Sequence, residues 1–199
     1  MPPIQVRQAT RDDRDAVVRA LVRAFDADPV TNFLLRQDVG RARAFETVFD
    51  VALRRWSLPV RGAWVAEGGA GAALWTPPGE WKTWRAWPDA LRMARAVGIS
   101  RLRTALAATD RVEREHPRAP HWYLFAIGVD PGHQGRGVGS SLLRAVLDGC
   151  DARGEAAYLE ASTENNARLY ERHGFRATKT LDLAAGGPTV RLMWREPRG

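Results

Sequence analysis

The residues with the clearest chemical meaning are Gln134-Gly135-Arg136-Gly137-Val138-Gly139-Ser140. An apolar run from Trp122 to Val129 leads into this segment, and a helical pattern of Val138, Leu142, Leu143, Val146 and Leu147 leads out of it. The first N–H groups of a helix have no intrahelical partner and lie at the positive end of its dipole, which makes a ready anion site. Glycines at 135, 137 and 139 keep side chains out of that site and tolerate positive φ. This spacing therefore predicts a diphosphate resting on backbone amides. Two familiar diphosphate motifs fit less well. A Walker A loop needs Lys and then Ser or Thr after its last glycine, whereas Gly137 is followed by Val138-Gly139. A dinucleotide-binding loop needs a third glycine where Ser140 stands. Glu160 ends the next strand at nearly the right distance for that motif, but the 39 residues after it are too few for the remaining parallel strands.

The elements that must position the loop read as mixed α/β. Ile4 to Ala9 alternates as a strand, Thr10 reads as a helix N-cap, and Val17, Leu21, Ala24 and Phe25 follow at helical spacing until Asp28-Pro29. Ala42 to Trp56 carries a second helical face. Ala63–Ala66 and Ala72–Trp75 read as strands joined at Gly68-Gly69. Residues 80–120 read as a helical insertion: Pro88 in a first turn, a helix to Val97, Gly98 as its stop, Ser100 as the next cap, and a second helix to about His116. Ala157–Ala161 reads as a strand, Asn166–His173 as a short helix, and Phe175–Leu183 and Thr189–Trp194 as closing strands.

Composition limits the function classes. At 199 residues, 45% of them apolar and 27% charged, the chain suits a single domain over 1–199 with a packed core. The net charge of +7 comes almost wholly from arginine. Those arginines are interspersed with acids and form no basic tail or nucleic-acid motif, so nucleic acid is not the expected partner. A single cysteine, Cys150, allows no disulfide framework, and no His/Cys cluster suggests a metal. Neither a signal peptide nor a membrane span is visible, and the expected location is the cytoplasm.

With the loop in place, the sequence resembles the GNAT superfamily of N-acetyltransferases. The family pattern [Gln/Arg]-x-x-Gly-x-[Gly/Ala] is matched by Gln134-x-x-Gly137-x-Gly139. Val129-Asp130-Pro131 before it, Leu159-Glu160-Ala161-Ser162 after it and Asn166-Ala167-Arg168-Leu169-Tyr170-Glu171-Arg172-His173-Gly174-Phe175 extend the likeness over about residues 122–176. The order Val6-Arg7-x-Ala9-Thr10, Ala24-Phe25, Asp28-Pro29, Leu74-Trp75-Thr76 and Trp122 is similar to puromycin N-acetyltransferase and its relatives. The resemblance implies a central sheet splayed between the strands at 122–129 and 156–161. It implies acetyl-CoA as co-substrate, with pantetheine along Ile127, Gly128 and Val129. The pyrophosphate would lie on Gln134, Gly135, Arg136, Gly137, Val138, Gly139 and Ser140, and Asn166 and Tyr170 would reach the cofactor arm. A small-molecule amine acceptor and a homodimer are the expected partners.

Amine acetylation needs a neutral amine, donors for the developing oxyanion and a proton for the departing thiolate. Tyr170 matches the family position for the general acid, and its alternative is a core tyrosine packed on Phe175. Glu160 could take the amine's proton, orient the amine or pair with an arginine. Asp28 could attract a cationic amine or simply end a helix. Of the tryptophans, Trp75 and Trp122 are the first candidates for the acceptor pocket wall, with Trp81, Trp84 and Trp87 behind them. Cys150 reads as packing, and His121 and His133 as loop residues. A catalytically idle acyl-CoA-binding domain and a protein N-terminal or lysine acetyltransferase stand as the alternatives.

Overall fold

Residues 4–198 are described by the computed structural model. Seven strands form one mixed sheet in the order β1-β2-β3-β4-β5-β7-β6. They are β1 (Val6–Gln8), β2 (Ala63–Ala66), β3 (Gly71–Thr76), β4 (His121–Val129), β5 (Ala156–Ala161), β6 (Arg176–Asp182) and β7 (Thr189–Arg195). Helices α1 (Arg14–Ala24), α2 (Pro29–Leu34), α3 (Arg41–Ala52), α4 (Ala90–Val97), α5 (Ile99–Glu115), α6 (Val138–Arg153) and α7 (Glu164–Arg172) complete the α/β architecture. The elements follow the sequence pattern closely. The differences are that a short helix, α2, follows the break at Asp28-Pro29, that Pro88 lies in a 3-10 stretch just before α4, that α7 starts at Glu164 behind its Thr163 cap, that Gly98 rather than Ser100 caps α5, and that His121 opens β4 instead of lying in a loop.

Period-2 alternation divides the sheet's two faces. Trp75, Leu124, Leu159 and Ala161 pack with α6 and α7. On the other face Val65 and Leu74 meet α1 and α3, while Tyr123 and Tyr158 meet α5. The insertion at 80–120 thus covers the face opposite α6. It is tied to α3 through buried acids. Asp50 receives Arg14, Arg54 and Arg92, and Asp89 receives Arg54, Arg55 and Arg92.

One feature of the sheet prepares the site. β4 and β5 are parallel, joined by α6, and pair only from His121↔Ala156 to Leu124↔Leu159. Beyond that point β4 continues without β5. The register of β4 on β3 jumps there, because Leu74 faces Ala126 and Trp75 faces Leu124, leaving Phe125 as the extra residue of a bulge. A bulge bends its strand and raises local twist, so the two middle strands splay apart at this place.

Candidate functional site

The mouth of the splay is floored by the glycine loop. Gly135 and Gly137 have φ of +74° and +82°, and a Cβ built on either would meet nothing within 4 Å. Their missing side chains therefore leave open space rather than serving internal packing. The first helical bond of α6 runs from Ser141 N–H to Gly137 C=O at 3.0 Å, so the N–H groups of Val138, Gly139 and Ser140 precede it. Above them lies a groove of about 680 Å3 lined by Gly128, Val129, Gln134, Asn166 and Tyr170 among others. Asp130 N–H donates to Ala70 C=O at 2.9 Å, so by strand alternation the N–H groups of Ile127 and Val129 face away from β3 into the opening. The Val129 carbonyl accepts from Gln134 Nε2 at 3.2 Å. This is a groove with helix-end amides open at one end and a strand edge free for an extended chain, a lining that fits a pantetheine diphosphate.

Next to the groove is a second, more enclosed cavity of about 260 Å3. Asp28, Ile127, Asn166 and Tyr170 line both spaces and form their junction. The cavity is chiefly apolar and aromatic, with Phe25, Phe49, Trp81, Tyr123 and Phe125 in its wall, and it contains the carboxylates of Asp28, Glu113 and Glu160. Tyr123 donates its hydroxyl proton to Glu160 Oε2 at 2.8 Å, while Oε1 is buried without a hydrogen-bond partner among the described residues. Burial, with the Glu113 charge adding to it, pushes the Glu160 carboxyl up from 4.5 to about 7, against the opposing pull of the Tyr123 and Tyr158 hydroxyls. Tyr170 is buried at the junction, and burial, with Asp28 nearby, raises its hydroxyl above the usual tyrosine range. Asp28 is the N-cap of α2; it accepts from Thr31 N–H at 2.8 Å and from the Ser162 hydroxyl. Its helix-ending and cavity-lining roles coexist.

Of the sequence candidates, the structure brings Asp28, Ile127, Asn166, Glu160 and Tyr170 together at the cavity, and the 134–140 loop beside them. It does not bring Trp75 or Trp122 there. Trp75 is wholly enclosed in the core beneath α6, on the opposite face of the sheet. Trp122 packs on that same face, where it donates to Glu155 at 2.8 Å. The tryptophan in the cavity wall is Trp81, whereas Trp84 and Trp87 are exposed. Arg136 is exposed on the loop, and Ser140 pairs its hydroxyl with His173 Nε2 at 3.0 Å. Cys150 is fully buried, its thiol pushed up to about 12 by burial, as suits a packing residue. Sequence reasoning passed over Tyr123 and His116. The alternation of β4 could have flagged Tyr123, since it shares a face with Phe125 and not with Trp122.

The model of the acetyltransferase (GNAT) family matches residues 70–175, just over half of the chain. The chain is 54% identical over 72 residues to the N-alpha-acetyltransferase RimI of Mycobacterium tuberculosis, a match covering 35% of this chain and 43% of that protein. It spans less than half the length of the curated relatives it matches. Among solved structures, a histone acetyltransferase HPA2-related acetyltransferase of Corynebacterium glutamicum aligns with a TM-score of 0.73 and 26% identity, covering 98% of this chain and 97% of that one. The polyamine N-acetyltransferase of Drosophila melanogaster shares the fold, with a TM-score of 0.70 and 20% identity over 98% of this chain and 100% of its own.

Proposed function

The chain belongs to the GNAT acetyltransferase family, and from that premise we propose that it transfers the acetyl group of acetyl-CoA directly to a primary amine of a small molecule. The observation that carries this reading is the junction. An anion-binding groove and an enclosed acidic-aromatic cavity meet at Tyr170, Asn166 and Asp28. Acetyl-CoA supplies the activated acetyl group and a thiolate leaving group. In this reading Gly135 to Ser140 hold the diphosphate, with Gln134 and Arg136 at its flank. Ile127, Gly128 and Val129 offer backbone to the pantetheine arm, and Asn166 steadies it. Glu160 takes the proton from the acceptor ammonium, a task suited to a carboxyl poised near 7. Tyr170, kept protonated by burial, donates toward the thiolate. The Val129 N–H faces the opening where negative charge develops on the carbonyl oxygen.

The acceptor is part of the same proposal. A cavity of about 260 Å3 is small for a ligand site. Its aromatic walls with Asp28, Glu113 and Glu160 favour a compact amine with an apolar body. The likeness of Asp28-Pro29, Leu74-Trp75-Thr76 and Trp122 to puromycin N-acetyltransferase and its relatives adds an antibiotic-like amine as a candidate within that class. A second reading, acetylation of a protein N-terminus, is favoured by the 54% identity to RimI over 72 residues. Free-thiol release from acetyl-CoA against puromycin, aminoglycosides, polyamines and short peptides separates them. Turnover with a small amine that collapses in Glu160→Gln and Tyr170→Phe supports the first, and turnover with peptides alone supports the second. A CoA thermal shift without any turnover would replace both with an acyl-CoA-binding domain.

A further inference from the structure

Acetylating an ammonium with a thioester and forming a free thiol releases one proton per turnover, and that proton must leave an enclosed cavity. Outside the cavity lies a separate groove of about 660 Å3, between Thr76–Gly79 and Arg114–Tyr123. Glu160 lines the cavity and not this groove, His121 lines the groove and not the cavity, and His116 lines both. His116 sits at the end of α5 and His121 at the start of β4, five residues apart in the chain and joined in space by a contact of 3.1 Å between their Nε2 atoms.

The hydrogen-bond pattern sets the tautomers. His121 Nδ1 lies 2.7 Å from the Ala119 carbonyl, which can only accept, so His121 carries its proton on Nδ1. Its Nε2 is then a lone pair, and His116 must donate to it from Nε2. That leaves a lone pair on His116 Nδ1, which lies 3.9 Å from Glu160 Oε1, the oxygen without a partner. A small side-chain adjustment or one bridging water closes that gap. Burial favours the neutral ring in both cases, bringing His116 down to about 4 and lowering His121. The groups facing the pair are Glu113 and Arg114 from α5, Arg118 from the turn before β4, Tyr123 from β4, Tyr158 and Glu160 from β5, Trp194 from β7 and Trp81.

We propose that His116 and His121 are the exit path for the catalytic proton, leading from Glu160 to the outer groove. The proposal rests on the reading of Glu160 as base. Glu160 removes a proton from the ammonium, leaving the neutral amine. The protonated Oε1 passes it to His116 Nδ1, the His116 Nε2 proton moves to His121 Nε2, and His121 releases its Nδ1 proton to groove water. One proton enters and one leaves; the relay inverts both tautomers, and each ring recovers its own by turning toward the groove, where water takes the Nδ1 proton of His116 and returns one to its Nε2, and takes the Nε2 proton of His121 and returns one to its Nδ1. The two histidines act through Glu160 and are positioning residues.

Long-range proton–nitrogen NMR of the histidine rings at pH 7 tests the arrangement without any acceptor. The expected result is Nε2–H on His116 and Nδ1–H on His121; Nδ1–H on His116 with a bare Nε2 overturns the path. Kinetics test its use, with the panel amine turned over fastest. His116→Phe should lower kcat about tenfold or more, leave the KM for acetyl-CoA unchanged, and recover with added imidazole. His116→Gln, which keeps polarity but relays no proton, guards against a packing defect and should show the same loss. Wild-type kcat in both variants, or a loss that imidazole does not restore in either, overturns the proposal. Glu160→Gln separates the two levels. If it is inactive with CoA binding intact while the histidine variants run at wild-type rate, the path falls and the base remains. If it is active, the base reading itself falls.

Discussion

Replacing Glu160 with glutamine should make the protein more stable and less active together. The side chain is enclosed, one oxygen accepts from Tyr123, and the other has no partner among the described residues. Glutamine keeps an acceptor for Tyr123 and removes the charge. Burial raises the carboxyl from 4.5 to about 7, so the folded state favours the protonated form. The sign follows from linkage: this group's contribution is fully present below about 4.5 and is lost as pH rises through about 7. A difference of about 2.5 at 1.36 kcal/mol apiece amounts to roughly 3 kcal/mol once both states are ionised. Urea unfolding of the wild type and Glu160→Gln at pH 5 and pH 8 should therefore show the variant's advantage growing by about 2–3 kcal/mol. With Glu160 as the proposed base, the same ionisation should govern the rate. A base titrating near 7 is about one-tenth ionised at pH 6 and nine-tenths at pH 8, so wild-type kcat/KM should climb about tenfold across that range. The variant should be flat and roughly 10²–10⁴-fold lower. A variant no more stable than wild type at pH 8, or a wild-type profile flat down to pH 6, would refute the argument from burial.

Three further outcomes follow from other parts of the site. Tyr170→Phe should lower kcat about 100-fold or more while the thermal shift on adding CoA is retained, and the wild type should show no alkaline loss from Tyr170 at pH 9, because burial holds that hydroxyl protonated. Gly137→Ala should cost about 1–2 kcal/mol through its φ of +82° alone and weaken CoA about tenfold by calorimetry. Gly154→Ala, with φ of +67° at the end of α6 and equally open space, should share the stability cost and leave CoA affinity unchanged. Asp50→Ala removes a buried partner from Arg14, Arg54 and Arg92. The loss should be about 2 kcal/mol in thermal unfolding, below that of a fully buried pair because the arginines reach solvent. The acceptor KM should rise as the insertion loosens, with CoA affinity held.

What the sequence determined by itself was local. The glycine loop, the α6 pattern behind it and the Asn166–Phe175 segment are short contiguous stretches whose geometry comes from backbone freedom and helix capping. The open helix end was therefore legible before any fold was known, and so was the neighbourhood of Tyr170. Alternation also told which residues of a strand share a face. It could not tell which face looks into a cavity, and that is why Trp75 and Trp122 were expected at a pocket and lie instead beneath α6. The Phe125 bulge, which opens the splay, leaves no mark in the pattern, because it arises from the register of β4 on β3. The cavity itself gathers Phe25, Asp28, Trp81, His116, Tyr123 and Glu160 from segments far apart in the chain. Glu160 was visible as a strand-end acid in the sequence. Its enclosure, its bond to Tyr123 and its place beside His116 come only from packing the insertion across the sheet. Desolvation depends on every neighbour at once, and no local pattern encodes it.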